Sequence, residues 1–235
     1  MMNDRDHEDR LDFYTATHKG HRRRLFNFSE RVGITEFCDP DAVDDLGEEF
    51  RRISRMLRMH ARHESEFIHP FLQSKFPGEA EFLEGEHSDL RTNLAELEAF
   101  YDDINSNPGK IQHCRVFGHE FYRALQRFIS RYLDHMDEEE RTMTKLWQAC
   151  TKEELQEVLL QMRSSMTEEQ ELEELRDIVP ALAPHERVSL FQTLSKGLNS
   201  ERYSDVWTLA EEILPAQEYT DLRESVESPK ISRTD

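Results

Sequence analysis

His60 and Glu64, and again His135 and Glu139, form two His-x-x-x-Glu steps. Residues four apart lie one above the other on a helix, so each step delivers an imidazole and a carboxylate to one spot. His18 and His87 fall on the apolar faces of two other helical stretches. Buried His and Glu side chains without partners are costly, and a shared metal centre is the simplest common partner. Four helices supplying His, His plus Glu, His, and His plus Glu to one interior describe a site for two metal ions.

The elements that must position these residues can be read from apolar periodicity. A first helix over 10–34 carries Leu11, Tyr14, His18, His21, Leu25 and Phe28 on one face. Asp39 as N-cap with Pro40 in the first turn opens a second helix. It runs to about Phe76, with Ile53, Leu57, His60, Glu64, Phe67 and Phe71 as its stripe. A third, over 79–104, aligns Leu83, His87, Leu90, Leu94, Leu97 and Tyr101, and a turn over Asn105–Gly109 follows. The fourth, over 111–150, turns Leu125, Phe128, Tyr132, His135, Glu139, Met143 and Leu146 inward. Short connections make successive helices antiparallel, so the fold class is all-α, an up-down-up-down four-helix bundle. His18 lies about 16 residues before its helix ends and His60 about 19 after its helix begins, so their levels differ by about 5 Å.

After Cys150 the texture changes to shorter helices near 152–164, 168–179, 184–197 and 201–214, with capping boxes at Thr151/Glu154 and Thr167/Gln170. The expected organisation is a bundle over 1–150, a helical extension over 151–224 and a disordered tail over 225–235.

With Lys+Arg 30 against Asp+Glu 49, the formal net charge is −19. Such acidity excludes nucleic acid and anionic membrane surfaces as partners and favours cation uptake. Charged residues make up 34% and the mean hydropathy is −0.80, values suited to long amphipathic helices. Cys38, Cys114 and Cys150 are widely spaced and odd in number, so no disulfide framework or CxxC zinc motif is expected. With a polar N-terminus and no run of about 18 apolar residues, the expected location is a reducing cytoplasm. No nucleophile elbow, phosphate loop or nucleotide fingerprint is present.

A different di-metal pattern, Glu-x-x-His, is met formally by Glu66/His69 and Glu84/His87. Glu66 and His69 share a polar helical face with Arg62 and Gln73, and the fourth helix has no such step, so this reading ranks lower. His7, His69, His113, His119 and His185 read as surface residues and Glu140 as solvated. His21 and His63 read as partly exposed neighbours of the site, with alternative ligand or hydrogen-bonding roles open to them. Tyr14 and Tyr132 stand near enough to the histidines to donate hydrogen bonds.

The segments FYTATHKGHRRRLF, LRMHARHESEFIHPFL, EGEHSDLR and YLDHMDEEERTMTKLW, together covering about residues 10–150, resemble the bacterial hemerythrin-like (HHE cation-binding) family. DIVPALAPHERVSLF is similar to the helical extension of some longer members. The resemblance implies a non-haem centre of two iron ions, oxo- or hydroxo-bridged, concerned with O2, redox chemistry or iron sensing. By position, His18, His60, Glu64, His87, His135 and Glu139 would be the metal ligands, with Glu64 and Glu139 bridging.

Oxygen-carrying hemerythrins have a second His four residues after the third-helix His, where Arg91 stands here. They also place Asp five residues after the last-helix His, where this chain has Glu139 at four and Glu140 at five. These departures set the chain apart from reversible carriers. A mixed nitrogen and oxygen donor set suits iron without naming it, and zinc and manganese rank below iron on the resemblance.

The implied function is a di-iron protein reacting with O2 or another small redox ligand. The alternative is an iron or oxygen sensor, or an iron store, signalling through its C-terminal helices. A protein partner or self-association through 151–224 fits that alternative. Enzymatic activity is left open: no organic-substrate site can be named, and oxidase or peroxidase-like chemistry at the metal centre is the form it would take.

Overall fold

The structure, a computed structural model, describes residues 11–106 and 113–227. Ten α-helices and no strand occur among them. Asp12 sets the start of the first. Its Oδ1 accepts from the amides of Tyr14 at 2.8 Å and Thr15 at 3.0 Å, so α1 spans Thr15–Ile34 rather than beginning at residue 10. Asp39 caps α2, Pro40–His63, its side chain accepting from the Asp41 amide at 3.1 Å with Pro40 in the first turn. A π-turn, Glu64–Ile68, continues α2 into α3, His69–Lys75. Next come α4, Pro77–Ser106, and α5, Cys114–Ala149. The expected Asn105–Gly109 turn lies outside the described residues from 107 onward, and 105–106 are still helical.

These helices form the expected bundle, with α1 against α2 and α5, and α4 against α2 and α5. One half of its interior is aromatic. Phe28 stacks on Phe50 at 5.6 Å, and Phe121 meets Phe50 at 5.5 Å and Tyr101 at 5.1 Å. Phe37 closes that end over Gly118, where a Cβ would come within 2.3 Å of the Phe37 ring, so the α1–α2 connection seats only on glycine. The other end holds a second core of Phe13, Tyr14, Ile68, Leu72, Leu83, Met143 and Leu146. The His and Glu residues occupy the layer between these two cores.

The π-turn changes which residues point inward. An α-period continued past Glu64 turns Phe67 and Phe71 to the core, but both are only half-buried. Ile68 at 1% exposure and Leu72 at 0% take their places, because the π-turn inserts one extra residue and delays every later position by one.

Two further sequence expectations are corrected. Cys38, between α1 and α2, is disulfide-bonded to Cys114, the first residue of α5. Chain spacing hid the pair because the fold closes a sequence separation of 76 to a Cα–Cα distance of 5.2 Å. Residues 225–227, expected in the tail, are helical instead, because a last helix, Ala216–Glu227, follows Leu214 and Pro215; residues 228–235 lie outside the described part.

The extension comprises α6 (Lys152–Ser164), α7 (Glu168–Ile178), a 3₁₀ turn (Val179–Ala181), α8 (Pro184–Gly197), α9 (Ser200–Ile213) and α10 (Ala216–Glu227). The capping boxes at Thr151 and Thr167 are formed. α6 adds Leu155 and Val158 to the second bundle core, while the later helices build a core of their own around Phe191, Leu194, Val206 and Leu209. The seam to the bundle runs along α1: Thr17 donates to Glu174 at 3.0 Å, Arg24 pairs with Asp177 at 3.1 Å and Lys19 with Glu186 at 2.5 Å. No described helix is long and apolar enough to cross a membrane.

Candidate metal centre

The six residues singled out by spacing meet in one layer. His18 comes from α1, His60 from the last turn of α2, Glu64 from the start of the π-turn, His87 from α4, and His135 and Glu139 from α5. The two carboxylates are buried, at 1% and 0% exposure, and each presents one oxygen to each of two histidine groups. Glu64 Oε1 lies 3.1 Å from His60 Nε2 and 4.0 Å from His18 Nε2, while its Oε2 lies 3.3 Å from His87 Nε2. Glu139 Oε2 lies 3.3 Å from His18 Nε2, while its Oε1 lies 3.3 Å from His87 Nε2 and 3.0 Å from His135 Nε2.

These approaches lack the geometry of hydrogen bonds for most of the atoms concerned. Nε2 of His18, His60 and His87 and all four carboxylate oxygens are buried without a hydrogen-bond partner. A buried unpartnered polar atom costs about 1–3 kcal/mol, so seven gathered in one layer fit cations as their common partner. The donor atoms of His18, His60, Glu64 and Glu139 all lie within 4.8 Å of one another.

The outward nitrogens are tied down. His18 Nδ1–H donates to Glu140 at 2.9 Å, and Glu140 also accepts from Arg22 at 2.6 Å. His135 Nδ1–H donates to Glu86 at 3.0 Å, and His87 Nδ1 lies 3.3 Å from Ser65 Oγ. A carboxylate can only accept, and the Ser65 hydroxyl gives its proton to Glu84, so these bonds fix the proton on Nδ1 of His18, His135 and His87 and aim the Nε2 lone pair inward. Glu140, read as solvated, is therefore a half-buried partner of His18. Its two cations lie on another helix, which its own neighbours in sequence cannot reveal.

Without a metal cation, protons must balance the two carboxylates. Burial alone would lower the pKa of His18, but the adjacent Glu139 and Glu140 carboxylates outweigh it and raise the value to about 9. His87 is likewise raised to about 9, by Glu139 and Glu64 against the effect of burial. Burial, then the Glu139 charge, raises Glu64 to about 7. Burial would raise Glu139 too, but His135, His18 and His87 hold it well below the ordinary value. Metal binding replaces such protons.

His21 is buried rather than partly exposed. Its Nδ1 lies 3.0 Å from the Tyr132 hydroxyl and its ring meets His60 edge-on at 4.5 Å. Burial, then the His18 charge, lowers its pKa to about 3, so it stays neutral. Tyr14 stacks on His18 at 5.4 Å, and its buried hydroxyl has no hydrogen-bond partner. His63 is also buried. His113, His119 and His185 are exposed, as expected, and His7 lies outside the described residues. His69, expected at the surface, is 6% exposed. It stacks on His87 at 4.7 Å, with a donor atom within 4.8 Å of those of His87 and Glu139. The signal was the π-turn, which apolar periodicity at 3.6 residues per turn does not reveal.

Two cavities reach this layer. One of about 660 Å³ lies at the seam, walled by Met56 and Met59 of α2 and by Met162, Glu174 and Ile178 of the extension, and touches His60 and Glu64. The other, about 20 Å³, is lined by Leu57, Leu90, Leu94 and Phe128 against His60, His87 and His135.

No curated protein and no solved structure matches the chain. The family model "Hemerythrin HHE cation binding domain" matches residues 9–147, a span that contains the bundle but for the last two residues of α5 and includes every residue of the layer. The bundle, the buried His and Glu layer and this match agree: the chain belongs to the hemerythrin HHE cation-binding family.

Proposed function

We propose that the chain is a non-haem di-iron protein whose centre reacts with O2 or a similarly small oxidant. Glu64 and Glu139 would bridge the two ions. His18 and His60 would hold one ion, and His87 and His135 the other. The observation that carries this reading is the split of each buried carboxylate between two histidine groups, which is how a bridging ligand must be placed. The donor set of imidazole and carboxylate without thiolate is one that iron accepts. When bound, the iron pair supplies electrons to the oxidant.

The residues around it supply the rest. Leu57, Leu90, Leu94 and Phe128 keep a small apolar pocket against three of the histidines, with room for one molecule the size of water or O2. The Tyr14 hydroxyl keeps its proton, because burial and then the Glu139 and Glu64 charges raise its pKa well above 10. It is thus a fixed donor toward that interior. His21, neutral and held beside the Tyr132 hydroxyl, adds no charge to the layer.

We also propose that residues 11–150 form the metal-binding unit and 151–227 an extension without ligands of its own. One observation favours a sensing role through that extension. α7 lies so close to α1 that a Cβ on Gly20 would sit 3.1 Å from the Asp177 backbone, and Gly20 is two residues from His18.

Anaerobic loading with ferrous iron, metal analysis and an oxygen pulse followed by absorption spectroscopy test the first reading. About two irons per chain and rapid conversion to an oxidised di-iron spectrum are expected. Well-folded protein that retains no transition metal would overturn it. Hydrogen exchange of residues 151–227, with and without iron, tests the second; unchanged exchange removes the sensing role.

A further inference from the structure

Resting on the di-metal reading above, we infer that His69 is a further ligand, joining His87 and His135 at the second metal position. The π-turn is what brings it there. The His69 amide donates to the Glu64 carbonyl, closing the turn over five residues. Five residues along an α-helix the side chain would lie about 140° around the axis from Glu64, on the face shared with Arg62 and Gln73. The wider turn carries it back above Glu64, and π-turns recur at functional sites for this kind of reason.

The two nitrogens of His69 are treated differently. Nδ1–H donates to Glu84 at 3.0 Å, and Glu84 is itself held by Ser65 at 2.8 Å and Arg91 at 3.2 Å. Nε2 is buried and has no hydrogen-bond partner. His18 is built the same way, with Glu140 and Arg22 behind its Nδ1 and a bare Nε2 in front. A histidine buried for packing alone would be expected to satisfy both nitrogens. One held by a carboxylate, with its free lone pair aimed at a carboxylate cluster, is constructed as a metal ligand. His63 provides the contrast: its Nε2 is also buried and unpartnered, but it belongs to neither group of converging donors.

With His69 included, three imidazoles serve the position of His87 and His135, and two serve that of His18 and His60. The two irons therefore occupy unequal surroundings. The test compares parent, His69→Ala and His63→Ala proteins loaded anaerobically with ⁵⁷Fe. It reads iron per chain, the Mössbauer doublets and iron release to a chelator.

The parent is expected to hold about two irons and show two distinct doublets. His69→Ala should lose one iron, or release it at least about 10-fold faster, with one doublet altered and the other kept. His63→Ala should match the parent. If His69→Ala keeps two irons, both doublets and both release rates, His69 is no ligand. If the parent itself holds no iron, the di-metal reading fails and the inference with it. Should His69→Ala lose its helical circular dichroism, His69→Phe decides, because it keeps the ring volume and removes only the donor nitrogens. The same doublet must then shift or the same iron leave faster, and no change overturns the inference.

Discussion

Two layers of the same four helices fill their interiors with opposite materials. Around Phe121 the interior consists of rings: Phe37, Phe50 and Tyr101 each meet Phe121, Phe28 stacks on Phe50, and the Tyr101 hydroxyl donates to the Val43 carbonyl. About five turns along α5, around Glu139, it consists of imidazoles and carboxylates whose inward atoms find no hydrogen bonds. The aromatic layer is complete in itself and draws its stability from apolar burial. The polar layer is complete only with cations, so its stability is tied to metal supply. Uniform bundle geometry thus combines a permanent core with a conditional one.

The sharpest way to break this comparison is to disable one layer and read both. Glu139→Gln keeps the shape but removes the charge and one bridging oxygen. Iron affinity is expected to fall by at least about 100-fold, more than for loss of an outer-shell partner. Stabilisation by iron, about 4 kcal/mol when free metal stands at 1,000 times its dissociation constant, should vanish in that variant. Chelator competition and denaturant unfolding with and without iron measure both; parent-like values would mean Glu139 is not part of the cation site.

The converse variant is Phe121→Ala. Its ring is fully buried, and its loss should cost about 3–5 kcal/mol in urea unfolding. Iron stoichiometry should be unchanged, because Phe121 touches none of the six converging residues. If metal binding fell in parallel with stability, the two layers would be one cooperative unit.

This division also explains what the sequence made legible. The helices, their inward stripes and the convergence of His18, His60, Glu64, His87, His135 and Glu139 all follow from a period of 3.6 residues, which α1, α2, α4 and α5 keep. Wherever that period fails or the partner is distant in the chain, sequence reading failed too. The π-turn displaced Phe67 and Phe71 in favour of Ile68 and Leu72 and carried His69 inward. Glu140 looked solvated because His18 and Arg22 reach it from α1. Cys38 and Cys114 looked unrelated because only the folded bundle joins the α1–α2 connection to the start of α5. The last helix was missed behind Leu214–Pro215.

The disulfide belongs to the aromatic end, and that assignment can be sharpened. Cross-linking a chain segment of this length stabilises by about 2–4 kcal/mol. Cys38→Ser should therefore lower stability by that amount under oxidising conditions, and a reductant should lower the parent to the same level without releasing iron. Loss of iron on reduction would link the two ends.

A smaller effect is expected where the bundle meets its extension. Gly20→Ala places a Cβ against the Asp177 backbone at 3.1 Å, which rigid backbone cannot yield cheaply, so overpacking should cost about 1–3 kcal/mol. The loss should appear as faster hydrogen exchange in residues 168–181, with the aromatic layer unaffected. Parent-like exchange there would mean that the seam tolerates movement and that α7 is not firmly held to α1.

The smallest effect is the pH dependence of that same seam. Burial raises the pKa of Glu174 despite its bond from Thr17, and burial raises that of Asp177 despite Arg24. Glu186 shifts the other way: burial would raise it, but Lys19 and the Ala183 amide together lower it. A carboxyl raised in the folded state takes up its proton there first. Its contribution is complete below the unfolded value of about 4.3 for Glu and is lost as pH rises through the folded value. The Glu186–Lys19 pair contributes above the unfolded value and is lost only as pH falls through its depressed folded value. Lowering the pH from 7 toward 5 should therefore tighten the seam, because Glu174 and Asp177 respond before Glu186 weakens. Glu174→Gln, neutral at every pH, should flatten part of this dependence. The difference between parent and variant exchange in 168–181 across that range isolates the contribution of Glu174. A seam that loosens between pH 7 and 5, or a variant whose curve parallels the parent's, would show that Glu174 is not held as a buried acid against α1.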